Sequence, residues 1–309
     1  MKTKKFLLSG ILGIALAGFV LTGCNKDNPT GTTSSPDYTA SEDDNNASTA
    51  TTDSKNIANA AAQSNTSRYH FDHSIEAIYS INCNAKFDSS ATTDSIIVSF
   101  GAAPYTTPVN CNDGRWRQGQ IIIYWPKVNG QTLKQAYFNT GSVLTMTFKN
   151  YAVGAISSNM IGIAGSRSDT NKGLNNLNEE NWNFHASLTL TYSSGQTATW
   201  TSNRNNTLVQ IGGVYYYEIT GNALGVSRTG VDYSLAISNS SPLYFVGQIW
   251  TNGTWGCMHF EAGTITMNTP GYTISIDYGS TPGNCPSTAT LTVTNTATTA
   301  SNTYTIDLL

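Results

Sequence analysis

Ala186-Ser187-Leu188-Thr189-Leu190-Thr191-Tyr192 alternates apolar and hydroxyl-bearing side chains with a period of two and runs into Ser194-Gly195. Period two is the repeat of a half-buried β-strand, and a glycine after it supplies the positive φ of a tight turn. The same reading applies at Ser95–Phe100, Gln120–Trp125, Val143–Phe148, Tyr215–Thr220, Val231–Ile237, Thr273–Tyr278 and Ala289–Thr294. Asn129-Gly130, Asn252-Gly253 and Pro270-Gly271 add further turn signals. No amphipathic helix is evident from apolar periodicity. The pattern predicts one all-β domain over residues 68–309, built as an antiparallel β-sandwich or as a strongly twisted meander closing toward a flattened barrel. Roughly 240 residues is an ordinary size for one such domain.

The amino terminus has a different character. Lys2, Lys4 and Lys5 precede an apolar stretch from Phe6 to Val20, and Leu21-Thr22-Gly23-Cys24 follows. Residues 1–23 therefore read as a signal peptide rather than a membrane span. The Leu-Thr-Gly-Cys run resembles the bacterial lipobox. That likeness implies lipidation at Cys24 and stable anchoring by two or three acyl chains. Asn25 is not the aspartate that retains lipoproteins in the inner membrane of enterobacteria, so the outer membrane is the expected address. Lys26-Asp27 resembles part of the surface-export signal of Bacteroidota lipoproteins, and the sequence leaves open whether the domain faces the periplasm or the cell surface.

The whole chain has 16 basic and 19 acidic residues; the signal holds three lysines and no acid, which leaves 13 against 19, or a net charge of −6. A nucleic-acid partner is disfavoured. Charged residues are 11% of the chain, well below the usual quarter, so Ser, Thr, Asn and Gly carry its polarity. Residues 24–67 contain almost no large apolar side chain. Such a segment buries too little to offset its ordering entropy, and it reads as a flexible tether in which only Asn56–Gln63 suggests a short helix.

Four cysteines remain beyond Cys24. Cys83 and Cys111 are 28 residues apart, as are Cys257 and Cys285. Ile97-Val98-Ser99-Phe100-Gly101 lies inside the first interval and Ser275-Ile276-Asp277-Tyr278-Gly279 inside the second. Both are strands ending in aromatic-glycine, which suggests a pseudo-repeat over residues 76–125 and 250–309, each copy closed by its own disulfide. An exported protein meets an oxidising compartment, where a loop of about 29 residues gains roughly 3.6 kcal/mol on closure. Four cysteines nevertheless allow three connectivities.

Cys111-Asn112-Asp113-Gly114-Arg115-Trp116-Arg117-Gln118-Gly119-Gln120-Ile121 resembles the Asp-Gly-Arg-x-Arg-x-Gly-x-Ile signature of uncharacterised Bacteroidota outer-membrane lipoproteins. The likeness extends through Phe148–Val153, Thr199–Arg204, Tyr217, Arg228 and Tyr233 to Asp277-Tyr278-Gly279 and Cys285. It implies an envelope address and no particular activity. Where that family places an acid before the first aromatic-glycine, this chain has Ser99, which argues against a symmetric metal site.

Candidate ligand-binding residues fall into two groups. Arg115 and Arg117 share one face of a strand and, with Arg204 and Arg228, stand out in a charge-poor domain. Forked guanidinium donors suit an anion or acidic glycan, while ion pairing with Asp113, Asp232 or Asp277 would make the same arginines structural. Tyr244, Trp250 and Trp255, preceded by Tyr215–Tyr217, are either a sugar-stacking platform or core. Asp94-Ser95-Ile96 resembles a short Bacteroidota O-glycosylation motif, with Ser95 as acceptor.

His70, His73, His185 and His259 show no metalloprotease spacing and no nucleophile elbow. No metal site, cofactor or catalytic residue is assigned, although Glu218, Glu261 and Asp277 could supply a carboxylate pair for glycoside cleavage. Three functions follow in order: a non-catalytic module binding a glycan or another envelope protein, a structural or assembly lipoprotein, and a glycoside- or ester-cleaving hydrolase.

Overall fold

A computed structural model describes residues 38–64, 85–90, 95–111, 113–125, 139–246 and 260–307. Its first element is a helix, α1 (Thr39–Ser64), and all the others are strands. Those before the centre of the chain are β1 (Lys86–Ser90), β2 (Ser95–Phe100), β3 (Val109–Asn110), β4 (Trp116–Tyr124), β5 (Val143–Gly154) and β6 (Ile161–Leu174). The long central strands β7 (Glu180–Thr191), β8 (Thr197–Ile211) and β9 (Val214–Val226) follow, then β10 (Asp232–Ile237) and β11 (Leu243–Phe245). The last are β12 (Thr264–Thr269), β13 (Tyr272–Asp277), β14 (Thr288–Asn295) and β15 (Ser301–Asp307).

The fold is all-β apart from α1. Successive strands pair antiparallel in a single sheet that runs from β1 to β15, with the short β3 and β11 attached to β4 and β9. Of the expected architectures the chain adopts the meander, and the described sheet is open rather than closed into a barrel. Alternation sets its inner face: β7 buries Trp182, Phe184, Ala186, Leu188 and Leu190 and turns the intervening residues outward. Gly195 (φ 83°) and Gly271 (φ 83°) take the turn conformations that their dipeptides imply, whereas Asn129-Gly130 and Asn252-Gly253 lie outside the described residues. Gly119 (φ 81°) sits at a register shift between Gln118 and Gln120, where a Cβ would stand 2.2 Å from the Asn150 carbonyl oxygen. Only glycine fits that bulge.

The two aromatic-glycine strands agree in structure. β2 ends on buried Phe100 and β13 is followed by buried Tyr278; Gly101 (φ 85°) and Gly279 (φ 111°) both turn the chain out of the strand.

The expectation of a flexible tether through residue 67 is corrected for Thr39–Ser64. α1 is about 39 Å long at 1.5 Å per residue and lies against the inner, buried face of the sheet. Its contacts run from Tyr38 against Tyr304 of β15, through Ser41 Oγ on Met267 Sδ of β12, to Asp53 on Arg117 of β4. Ala40, Asp44, Ala47, Thr51, Ser54, Ala58 and Ala61 are all buried. Their alternating spacing of four and three is one stripe of a helix. The stripe is small and hydrogen-bonding rather than apolar, because the sheet opposite it carries charged partners. Among the described residues no helix is long and apolar enough to cross a membrane.

Candidate functional site

Each buried acid of α1 meets a cation or hydrogen-bond donor on the strands or the turns that join them. Asp53 accepts from Arg117 Nη2 (2.6 Å) and Nε (3.0 Å), Arg115 Nη1 (3.0 Å) and the Tyr151 hydroxyl (3.0 Å). Burial alone would raise the Asp53 pKa, but the Arg117 and Arg115 guanidiniums outweigh it and hold the carboxyl down at about 2. Arg117 is fully buried and also donates to both oxygens of Asp113.

Two residues nearer the centre of α1, Arg167 Nη1 donates to the Thr51 carbonyl at 2.6 Å. Its Nε and Nη2 grip Asp169, and Phe184 packs 4.2 Å from the guanidinium carbon. Asp44 accepts from Trp200 Nε1 at 2.6 Å and from Arg204 Nη2 at 3.3 Å, while Arg204 Nη1 reaches Ser48 Oγ at 2.9 Å. Here burial prevails over Arg204 and the indole hydrogen bond, and the Asp44 carboxyl is pushed up. Arg204 Nε is buried without an acceptor among the described residues. At the amino-terminal end, Arg228 pairs with Glu42, donates its backbone N–H to Asp43 Oδ2 at 2.7 Å and lies 4.6 Å from the Tyr192 ring; the Tyr192 hydroxyl donates to Asp43 Oδ1.

This network places all four arginines singled out in the sequence. Arg115, Arg117, Arg204 and Arg228 converge on α1, and their guanidiniums are occupied by carboxylates of the chain itself. Of the two readings open to these arginines, their surroundings are those of ion pairs within the chain. Asp113 is a partner, as expected. Asp232 and Asp277 are exposed, and their anticipated place is taken by Glu42, Asp43, Asp44 and Asp53 of α1. Sequence reasoning missed these four acids and also Arg167.

Beside the framework, α1 borders a cavity of about 790 Å³. Asn45, Asn46, Thr49, Thr52 and Asn56 supply its floor. Val153, Ile156, Ile161 and Ile163 from the β5–β6 hairpin form one apolar wall, and Phe245 with Phe260 adds another apolar patch. Ser193, Ser194, Gln196 and Asn159 contribute further hydroxyl and amide groups. The charged members of the lining, Asp53, Asp113, Arg115 and Arg228, are those already paired. What the cavity offers a ligand is a neutral amide and hydroxyl floor between apolar walls.

The remaining candidates lie elsewhere. Tyr244 is half-buried, donates its hydroxyl to Glu218 Oε2 at 3.1 Å and packs edge-on against Tyr216 with centroids 6.4 Å apart. Trp250, Trp255, Cys83, Cys257, His70, His73 and His259 lie outside the described residues. Ser95 begins β2 and is half-buried, and Asp94 before it is outside the described residues. Glu261 is buried and accepts the Gly283 N–H at 2.8 Å, and Asp277 accepts the Gly279 N–H at 2.9 Å. Glu218, Glu261 and Asp277 are thus each engaged with a different neighbour. Among the described residues no three His, Cys, Asp or Glu side chains are grouped to hold a metal.

Fold and site together define a class: an open antiparallel meander clasping a polar helix by buried ion pairs, with a groove bordered by the helix and the β5–β6 hairpin. No family model, curated protein or solved structure matches the chain.

Proposed function

We propose that the chain is a lipid-anchored envelope protein that binds a neutral, hydroxyl- and amide-bearing ligand, a glycan, in the groove over α1, without hydrolytic turnover. The observation that carries this reading is the chemistry of the groove. Its amides and hydroxyls donate and accept hydrogen bonds at neutral pH, and its branched and aromatic walls suit the apolar faces of sugar rings. Proton transfer or nucleophilic attack needs a poised group, and the nearest acids, Asp53 and Asp113, are neutralised by Arg117.

The test uses the mature chain with Cys24→Ser, which keeps α1 and the groove while leaving out the acyl anchor. It is presented to a glycan array and to polysaccharide and ester substrates. Asn45→Ala and Asn56→Ala should each weaken retention of a bound glycan about tenfold, the value of one hydrogen bond of roughly 1.4 kcal/mol, with the melting temperature unchanged. Steady product release would replace the binding reading with an enzyme; equal retention by both variants would move the ligand out of this groove.

The address rests on the lipobox and on the resemblance to Bacteroidota outer-membrane lipoproteins. The protein should incorporate labelled palmitate and fractionate with the outer membrane, and Cys24→Ser should abolish both. A palmitate-labelled Cys24→Ser protein excludes this anchor. The same oxidising compartment supports the pairings Cys83–Cys111 and Cys257–Cys285. Non-reducing peptide mapping is expected to recover those two linked peptides; crossed pairs contradict the repeat.

A further inference from the structure

We propose that the groove selects acetamido sugars, and that its ligand is a linear N-acetylated oligosaccharide lying along α1. The inference rests on the glycan reading above and narrows it to one substituent.

The groove is bordered by two surfaces of different chemistry. On α1, Asn45, Thr49, Thr52 and Asn56 line it at spacings of four, three and four, which is a single stripe of a helix. The stripe is about 16 Å long at 1.5 Å per residue, longer than one sugar ring. Asn45, Thr49 and Asn56 make no side-chain hydrogen bond among the described residues, so two amides and a hydroxyl are open to a ligand.

The other surface is set by strand register. Val153 pairs with Ile161 and Tyr151 with Ile163 across the β5–β6 hairpin, and directly opposed residues project from the same face of a sheet. The Tyr151 hydroxyl donates to Asp53 of α1, so this is the face turned toward the helix. Along it Tyr151 and Ile163 are buried, Val153 and Ile161 are half-buried, and Ile156, at the turn, is 42% exposed. The row emerges from the core as a strip of methyl groups along the groove.

An acetamido group matches both surfaces at once. Its N–H and carbonyl complement the asparagine amide, which both donates and accepts, and its methyl leaves water for a branched aliphatic wall. A sugar bearing only hydroxyls satisfies the first surface and leaves the second wet. Acidic substituents find no unmatched cation, because the Arg115 and Arg228 guanidiniums of the lining already face Asp53, Glu42 and Asp43. Asn45 and Asn56 stand at the two ends of the stripe, and a single acetamido group cannot reach both. The ligand is therefore an oligomer.

The test is calorimetric titration of the mature chain carrying Cys24→Ser with chitotetraose and cellotetraose, two β-linked tetramers that differ in bearing an acetamido group or a hydroxyl beside each anomeric carbon. Chitotetraose should bind at least about tenfold more tightly than cellotetraose, and also than N-acetylglucosamine itself. Val153→Thr exchanges a methyl for a hydroxyl at nearly constant shape, and should weaken chitotetraose binding about three- to fivefold with cellotetraose binding unchanged. Ile156→Thr, at the exposed turn, repeats the test where folding is not at stake. Equal binding of the two tetramers overturns acetamido selection and leaves the glycan reading standing, as does an array that retains other glycans while neither tetramer binds. Variants that bind chitotetraose like the parent overturn the role of the methyl strip. Monomer affinity equal to that of the tetramer overturns the placement along α1. Retention of no glycan at all removes the proposed function together with this inference.

Discussion

Arg117→Met is expected to lower the unfolding free energy by about 3–5 kcal/mol, the usual cost of removing one partner from a buried ion pair. The guanidinium is fully buried and makes four hydrogen bonds to two carboxylates, Asp53 and Asp113. Methionine fills much of the space and takes away all of the charge. Asp53 keeps Arg115 and Tyr151, so α1 is weakened at its carboxy-terminal half rather than freed. For a domain of this size the loss corresponds to a fall in melting temperature on the order of 10 °C.

The pH dependence gives a second readout of the same substitution. In the native protein Asp53 is held at about 2, below its unfolded value near 3.9. Its pairing therefore stabilises above pH 4, and that contribution disappears as pH falls through about 2. Without Arg117 the buried carboxyl shifts upward and accepts a proton more readily, so the deficit of the variant should narrow on acidification. Asp53→Asn in the Arg117→Met background should recover part of the loss at pH 7, because the Asp53 charge is then no longer short of its guanidinium and only the share of the loss due to Asp113 remains. A deficit below about 1 kcal/mol at neutral pH would mean that Arg117 does not hold α1 to the sheet.

The strands were legible because they carry the apolar alternation that sequence reading detects. Ser95–Phe100 coincides with β2, Val143–Phe148 opens β5, and Ala186–Tyr192 covers the second half of β7. Several elements escaped, among them β1, β8, β12 and β15, and two of those that escaped, β6 and α1, share one reason. β6 turns Arg167, Asp169 and Asn171 inward where Val, Ile or Leu would have marked a strand, and it contains Gly162, Gly165 and Gly173. α1 turns Asp44, Thr51 and Ser54 inward where Leu would have marked a helix. Arg167 of β6 meets the Thr51 carbonyl and Asp169 meets Lys55, while Asp44 is met by Trp200 and Arg204 of β8, and hydrophobic periodicity registers none of these polar faces.

One signal for α1 was present. No glycine or proline occurs from Asp37 to Ser64, and Thr39-Ala40-Ser41-Glu42 has the spacing of a capping box. Alanine-rich polar sequence without breakers is compatible with a helix once a partner surface exists. The arginines were correctly singled out as unusual in a charge-poor chain. Their partners were sought among the acids of the β domain, because residues 24–67 had been read as lacking a core. The groove was illegible for a related reason: its floor belongs to the segment read as a tether, and its walls come from a hairpin more than 100 positions further along the chain.

Lys55 sets a second large and oppositely directed effect, on the alkaline side. Its ammonium lies 3.9 Å from the Trp182 ring centroid and 3.8 Å from Asp169 Oδ2. Burial, reinforced by the neighbouring Arg167, outweighs the attraction of Asp169 and Glu180 and brings the Lys55 pKa down to about 8. The unfolded chain keeps this lysine protonated up to roughly pH 10.4. Between those two values the unfolded state binds more protons than the folded one, so stability should rise with pH, by at most about 3 kcal/mol over the whole interval. Tyrosine ionisation cuts the rise short. Tyr38 and Tyr217 are raised to about 12 in the folded protein, whereas unfolded tyrosine ionises near 10, which lowers stability above that pH. A maximum is therefore expected near pH 9–10. Lys55→Met removes the buried ammonium and leaves Asp169 gripped by Arg167. The variant should be more stable than the parent at pH 7, and its advantage should shrink toward pH 10 as the parent sheds the proton. Denaturant midpoints at half-unit intervals from pH 7 to 10 would record the convergence, and curves that stay parallel would show that Lys55 does not titrate in this window.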